Sequence, residues 1–182
     1  MYSTIETDDV RTVPGYAIYN LYQRTDRPNR SDLVVDFPVD FLAGAQKAKV
    51  GVIIPRRDLQ KRLLKVIYSD TYKKLHNPNY SAISNPYNPM YQNCTEHVLD
   101  VLNAAIYQTD DINQLKANER AYFQAQKLKI NPFKLLLGQL FKSEIRTSDQ
   151  DHGIKTATFG SIARYLKNND LAEDVANIDL KD

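Results

Sequence analysis

The sequence predicts an α+β domain, and three observations carry that expectation. β-favouring Tyr, Ile and Val cluster in short runs at residues 13–23, 33–36 and 49–54, a composition that suits strands better than helices. Apolar residues recur at helical spacing over residues 56–69 and again from Val98. Between these helices lies a proline-rich stretch, Asn85-Pro-Tyr-Asn-Pro-Met-Tyr-Gln-Asn-Cys-Thr-Glu-His97, which holds the one cysteine of the chain, Cys94. At 182 residues, with 42% hydrophobic and 25% charged residues, the chain has the size and make-up of one globular domain over 1–182.

The elements follow in order. Residues 2–7 look like the end of a strand and Asp8-Asp9 like the turn after it, so the expectation includes one or more strands missing ahead of Met1. Residues 13–23 pair back as a strand, and a polar loop at 25–31 leads to a strand at 33–36. Pro38 opens a brief helix that Gly44 stops. Residues 49–54 are a short apolar run ending at Pro55 and read as a buried strand. In the helix at 56–69, Leu59, Leu63, Val66 and Ile67 form the inner stripe, while Arg57, Lys61 and Lys65 share an exposed face. The net charge is only +2, and no aromatic residues interleave with that basic face, so it reads as solvated and no nucleic-acid partner is expected.

Residues 71–91 read as a long connection with a strand at 80–84. The Cys94 helix runs to about Tyr107, and Asp110 or Asp111 caps the next one, to about Gln124. Pro132 opens a third, with Phe133, Leu136, Leu137, Leu140 and Phe141 inward. Residues 143–147 and 155–158 read as two strands joined by a turn at 148–153. A last helix carries Phe159, Ile162, Ala163 and Leu166 on one face and breaks at Asn168-Asn169, and the acidic tail from about Glu173 is expected to be loosely held. No apolar run reaches the length of a membrane span, and no signal peptide opens the sequence.

The chemistry centres on Cys94. Pro86 and Pro89 keep its lead-in out of helix, Asn93 is a preferred N-cap, and Glu96 three residues later can close a capping box. Cys94 then falls in the first helical turn, where unpaired N–H groups and the positive end of the dipole favour a thiolate. The same position suits an inert cysteine packed under a loop. A thiol nucleophile needs a base, usually a histidine held by a third polar group. His152, in Asp149-Gln-Asp-His-Gly153, has Asp149 and Asp151 at hand, although an exposed turn histidine is the plainer reading of it. His97 lies one turn from Cys94 on the same helix and reads as structural, and His76 reads as a surface residue. Gln92 is the candidate oxyanion donor. Tyr87, Tyr91 and Asn93 are candidate substrate contacts, although tyrosines more often pack a loop onto its domain. One cysteine and three scattered histidines lack a zinc spacing, and glycine-rich phosphate motifs are missing from the sequence. Neither a metal nor a cofactor is expected.

The run Tyr-Gln-Asn-Cys-Thr-Glu-His-Val-Leu-Asp, behind Asn-Pro-Tyr-Asn-Pro, resembles the central motif of a bacterial family, domain of unknown function 2145. Val52-Ile-Ile-Pro55, Leu59-Gln-Lys-Arg-Leu63 and Thr158-Phe-Gly-Ser-Ile-Ala-Arg-Tyr-Leu166 extend the resemblance from about Val13 to about Leu171. Asn-Cys-x-Glu-His also resembles the nucleophile region of circularly permuted papain-like proteins, among them lecithin retinol acyltransferase relatives and some cell-wall peptidases. That resemblance implies a papain-like α+β fold, with the Cys94 helix packed on an antiparallel sheet. In the permuted arrangement the base histidine stands on a strand before the cysteine helix, whereas here no histidine precedes His76. Family members are often exported, which implies a periplasmic protein if a signal peptide stood upstream. Two functions are expected on this basis. One is a thiol hydrolase or acyltransferase acting through Cys94, with Gln92 and His152, on a peptide, amide or lipid ester. The other is a papain-fold binding or envelope-associated module without activity.

Overall fold

The computed structural model describes residues 2–6, 12–43, 49–129 and 144–179. The helix expected from Pro132, the stop at Gly44 and the turn at Asp8-Asp9 lie outside those residues. Two hairpins open the chain. β1 (Tyr2–Glu6) runs antiparallel to β2 (Thr12–Tyr16), and β3 (Ile18–Gln23) runs antiparallel to β4 (Ser31–Asp36), with Ile18 opposite Asp36. The single strand expected over 13–23 is therefore two strands, and the chain changes partner at Ala17.

A short helix α1 (Pro38–Ala43) precedes β5 (Lys49–Pro55), which pairs antiparallel with β8 (Ala172–Asp179). Two expectations change here. β5 is half-buried rather than interior, and Ile54 faces solvent. The acidic stretch from Glu173, expected to be loosely held, forms the partner strand, and that ladder satisfies its backbone groups.

α2 (Arg57–Ile67) buries Leu59 and half-buries Leu63, Val66 and Ile67, with Arg57, Lys61 and Lys65 exposed, as the pattern requires. α3 (Asp70–Lys74) follows at once, capped by Ser69, whose side chain accepts a hydrogen bond from the Thr71 N–H at 3.3 Å. The strand expected at 80–84 is absent. Single contacts pin that segment instead: Tyr80 N–H to Asn29 O (2.9 Å), Ala82 N–H to Glu144 O (2.8 Å), and a lone bridge between Tyr80 and Gln92.

α4 (Cys94–Tyr107) is the axis of the molecule. Leu99, Leu102 and Ala105 join Leu59, Phe123, Ile162, Tyr165 and Leu166 on one side, while Val101 and Ala104 join Tyr72, Leu75 and Leu115 on another. A helix apolar over so much of its surface belongs inside a core. α5 (Ile112–Tyr122) is capped by Asp111, which accepts from the Asn113 and Gln114 N–H groups. The hairpin expected around 148–153 does not form. β7 (Ile154–Thr156) pairs antiparallel with β6 (Gln126–Leu128), and 144–147 is not a strand. α6 (Phe159–Asn168) opens with a full capping box between Thr158 and Ser161. It buries Ile162, Ala163 and Leu166 as expected, and leaves Phe159 40% exposed.

The described residues thus form a mixed α+β fold of small antiparallel ladders and several helices, in four two-stranded sheets. α4 packs chiefly on α2, with α5 and β3 beside it, rather than on one continuous sheet.

Candidate functional site

Asn93 fixes where Cys94 sits. In an extended conformation (φ −117°, ψ 176°) its side-chain oxygen accepts from the Glu96 N–H at 2.9 Å, and its backbone carbonyl accepts from the His97 N–H at 2.9 Å. Its amide nitrogen donates to Ala82 O (3.3 Å) and Thr156 Oγ1 (3.4 Å), which ties the helix start to two neighbouring segments. The capping box is one-sided, because the Glu96 carboxylate turns inward to Lys116. Cys94 is half-buried on the first helical residue, its Sγ 3.9 Å from Thr95 Oγ1. The backbone N–H groups of Cys94 and Thr95 belong to the first turn, where a helix has no carbonyl of its own to bond them.

The thiol borders a cavity of about 560 Å³. Its walls include the α4 face from Cys94 to Leu102, Tyr19 and Asn20 of β3, Gly51 and Ile53 of β5, Leu63 and Ile67 of α2, Tyr72 of α3, and Phe159 and Ile162 of α6. The far edge of the Phe159 ring abuts Gly51, where an added Cβ would stand 2.6 Å from it. The absent side chain at Gly51 is what lets the ring form that wall.

His97 is the histidine that shares this cavity with Cys94. It is 1% exposed, neither ring nitrogen makes a hydrogen bond of ordinary geometry, and the ring packs edge-on against Tyr72 at 5.0 Å. Burial lowers its pKa to about 4 against the pull of Asp100 and the Leu75 carbonyl, so the imidazole is neutral. His76, expected at the surface, is half-buried, with Nε2 3.1 Å from Ser31 Oγ and its ring 6.2 Å from that of His97. Burial lowers its pKa as well. Tyr80 is pushed up to about 12, by burial first and then by its proximity to Cys94 and Glu144.

The other expected site residues do not line this cavity. Gln92 is 2% exposed and donates to Leu75 O (2.9 Å) and Asp100 Oδ2 (2.6 Å), while its carbonyl accepts from Asn77 N–H (2.9 Å). Both amide hydrogens are committed inside the fold. Tyr87 donates to Phe123 O (2.8 Å), accepts from Ala125 N–H (3.0 Å) and leans on the main core cluster. The Tyr91 hydroxyl meets Ser148 Oγ at 2.7 Å, with the Arg146 guanidinium 5.3 Å from its ring centre. His152 is exposed in its turn. Asp149, expected to orient it, is buried and accepts from Asn85 N–H at 2.7 Å. The turn at 148–153 is thereby fastened to the segment leading into Cys94.

Beneath the site lies a charge cluster that sequence reasoning missed. The Lys116 ammonium, 2% exposed, contacts Asp100 (2.7 Å), Glu96 (2.8 Å) and Glu119 (3.1 Å), all fully buried. Asn103 donates to Glu119 (2.9 Å), and the Tyr165 hydroxyl donates to Asn103 (3.0 Å). Burial raises the Glu96 and Glu119 carboxyls against the pull of Lys116. Burial also opposes the Lys116 charge, yet its three carboxylates together hold its pKa well above the ordinary lysine value. The available signal was the spacing of Glu96 and Asp100, four apart on a helix whose other residues are mostly apolar. No group of three or more His, Cys, Asp or Glu residues that could hold a metal ion occurs among the described residues. No helix among them is long and apolar enough to cross a membrane.

Fold and site together define an α+β protein whose lone cysteine opens a buried central helix beside a cavity. The family model described as an uncharacterized protein conserved in bacteria (DUF2145) matches residues 2–166, and the chain belongs to that family. No curated protein and no solved structure matches it.

Proposed function

We propose that this chain is a thiol hydrolase or acyltransferase of papain-like type, with Cys94 as the nucleophile toward an amide, peptide or ester carbonyl. One observation carries the reading: the half-buried thiol occupies the first residue of a 14-residue helix and opens on a cavity large enough for a small ligand. Attack by sulfur gives a tetrahedral oxyanion, and the first-turn N–H groups of Cys94 and Thr95 are the donors for it. Gln92, with both amide hydrogens bonded, holds the helix lead-in instead. The base is a histidine. His97 shares the cavity and is neutral, while His152 sits in the turn fastened to the lead-in by Asp149 and Asn85.

The test is turnover of a panel of short aryl esters and thioesters. Cys94→Ser keeps the volume, removes the thiol and should cost at least about a hundredfold in kcat/KM. His97→Asn and His152→Ala then identify the base by which of them lowers kcat. Undiminished turnover by Cys94→Ser contradicts the proposal. A second reading, a binding module without activity whose groove includes Tyr87 and Tyr91, is favoured by the internal bonding of Gln92. It requires that Cys94→Ser leave ligand binding and every phenotype unchanged.

A further inference from the structure

We infer that α5 is a proton-latched helix: a proton carried on Glu96 Oε2 and donated to Ser84 Oγ keeps α5 docked on α4, and its loss in alkaline solution frees α5 while the rest of the core stays folded. The seating of α5 carries this. Of its 11 residues only Leu115, Lys116 and Glu119 are buried, so one apolar side chain and two charged ones hold its middle against α4. Ile112 and Phe123, which also pack on the core clusters, stand at its two ends. A helix seated in this way depends more on the charge balance of the cluster beneath it than on apolar area.

That balance is incomplete without a proton. The Lys116 ammonium donates to Asp100 Oδ1 (2.7 Å) and Glu96 Oε1 (2.8 Å) and stands 3.1 Å from Glu119 Oε2. Three ionised carboxylates against this one ammonium would leave two negative charges in the interior, a costly state. The remaining oxygens show where a proton goes. Asp100 Oδ2 accepts from Gln92 (2.6 Å) and Glu119 Oε1 from Asn103 (2.9 Å). Glu96 Oε2 has no hydrogen bond of ordinary geometry among the described residues, and neither has its neighbour Ser84 Oγ, both on fully buried side chains. A proton on Oε2 gives Glu96 an O–H that donates to Ser84, which satisfies both atoms and removes one surplus charge. Burial raises the Glu96 and Glu119 carboxyls in the same sense. The other groups facing the cluster keep their charge as pH rises from neutrality. Burial lowers His97 and His76, Lys116 is held well above the ordinary lysine value, and Tyr165, which reaches Glu119 through Asn103, is raised by burial. Lys74 and Tyr91 border the cavity of about 230 Å³ that reaches the cluster, with Lys74 paired to Asp110 at 3.0 Å.

The experiment is amide hydrogen exchange of the full chain at about pH 7 and about pH 9, read by mass spectrometry with exchange times scaled for the intrinsic rate. Release of one proton weakens docking by up to about tenfold for each pH unit above the folded value. Protection of Ile112–Tyr122 should therefore fall about tenfold at the higher pH, while Phe159–Asn168 of α6 keeps its protection. Glu96→Gln sets a permanent N–H donor at the Oε2 position and should keep α5 protected at both values. Infrared spectra test the proton itself: the carbonyl band of a protonated carboxyl should be present in the native chain at about pH 7, lost at about pH 9, and weaker in Glu96→Gln. Unchanged protection of α5, loss of protection in α5 and α6 together, or an equal fall in Glu96→Gln overturns the latch. A native chain without that band overturns it as well.

Discussion

Asn93, His97 and Lys116 each do something the residue type alone does not announce. Asn93 caps α4 and bonds two other segments, so Asn93→Ala should lower stability by about 1–2 kcal/mol, measured as a urea midpoint shift. His97 is protonated in the unfolded chain below about pH 6.5 but neutral in the fold down to about pH 4. The unfolded state therefore binds more protons between those values, and His97 makes stability rise as pH increases from about 4 to 6.5. The gain is up to roughly 3 kcal/mol, and His97→Gln should flatten that limb of a stability-versus-pH curve. Glu96 and Glu119 act in the opposite sense. Their raised pKa values let the fold hold a proton that the unfolded chain has lost above about pH 4.3. Stability from them is complete below that pH and falls as pH rises through the folded values. Glu119→Gln, which mimics the protonated carboxyl, should be more stable than the native chain at pH 9 and no more stable at pH 4. Lys116→Met strands three buried carboxyls and should cost about 3–5 kcal/mol.

Elements with a strong local signal were legible in the sequence. Asn93, the two prolines before it and the apolar spacing after it define α4 at both ends, and α2 follows from its stripe. Elements without such a signal were hidden. α3 has five residues, too few for a period, and β6 is Gln-Lys-Leu, which carries no β preference and exists because β7 pairs with it. Residues 80–84 and 144–147 look like strands by composition, but tertiary hydrogen bonds such as Ala82 to Glu144 take up their backbone groups singly. The site divided along the same line. Cys94 was placed by local capping chemistry, whereas the burial of His97 and the internal bonding of Gln92 depend on residues up to 25 positions away. At the cavity wall, Gly51→Ala meets only the far edge of the Phe159 ring, on a side chain 40% exposed. The ring can swing away, so thermal unfolding should shift by less than about 1 kcal/mol.

On the scale of the molecule, α4 joins two core clusters, carries the thiol at its first residue and rests on a buried ion cluster that holds its first two turns to α5. A nucleophile on a rigid, capped helix is held in place by the whole core rather than by a loop. Fold class and family were within reach of the sequence, because they rest on motif and composition. The cavity was not, because it is assembled from β3, β5, α2, α4 and α6 among other elements, far apart in the chain.

The central claim is that the fold activates Cys94, and the most direct test is its alkylation rate by iodoacetamide at pH 7 in the native chain and in the same chain unfolded in urea. With one cysteine in the sequence, intact mass reports a single site. The account predicts that native Cys94 reacts at least about tenfold faster than the unfolded thiol, because the capped helix start holds the sulfur beside the cavity among unbonded first-turn N–H groups. A native thiol that reacts at the unfolded rate or more slowly would contradict it.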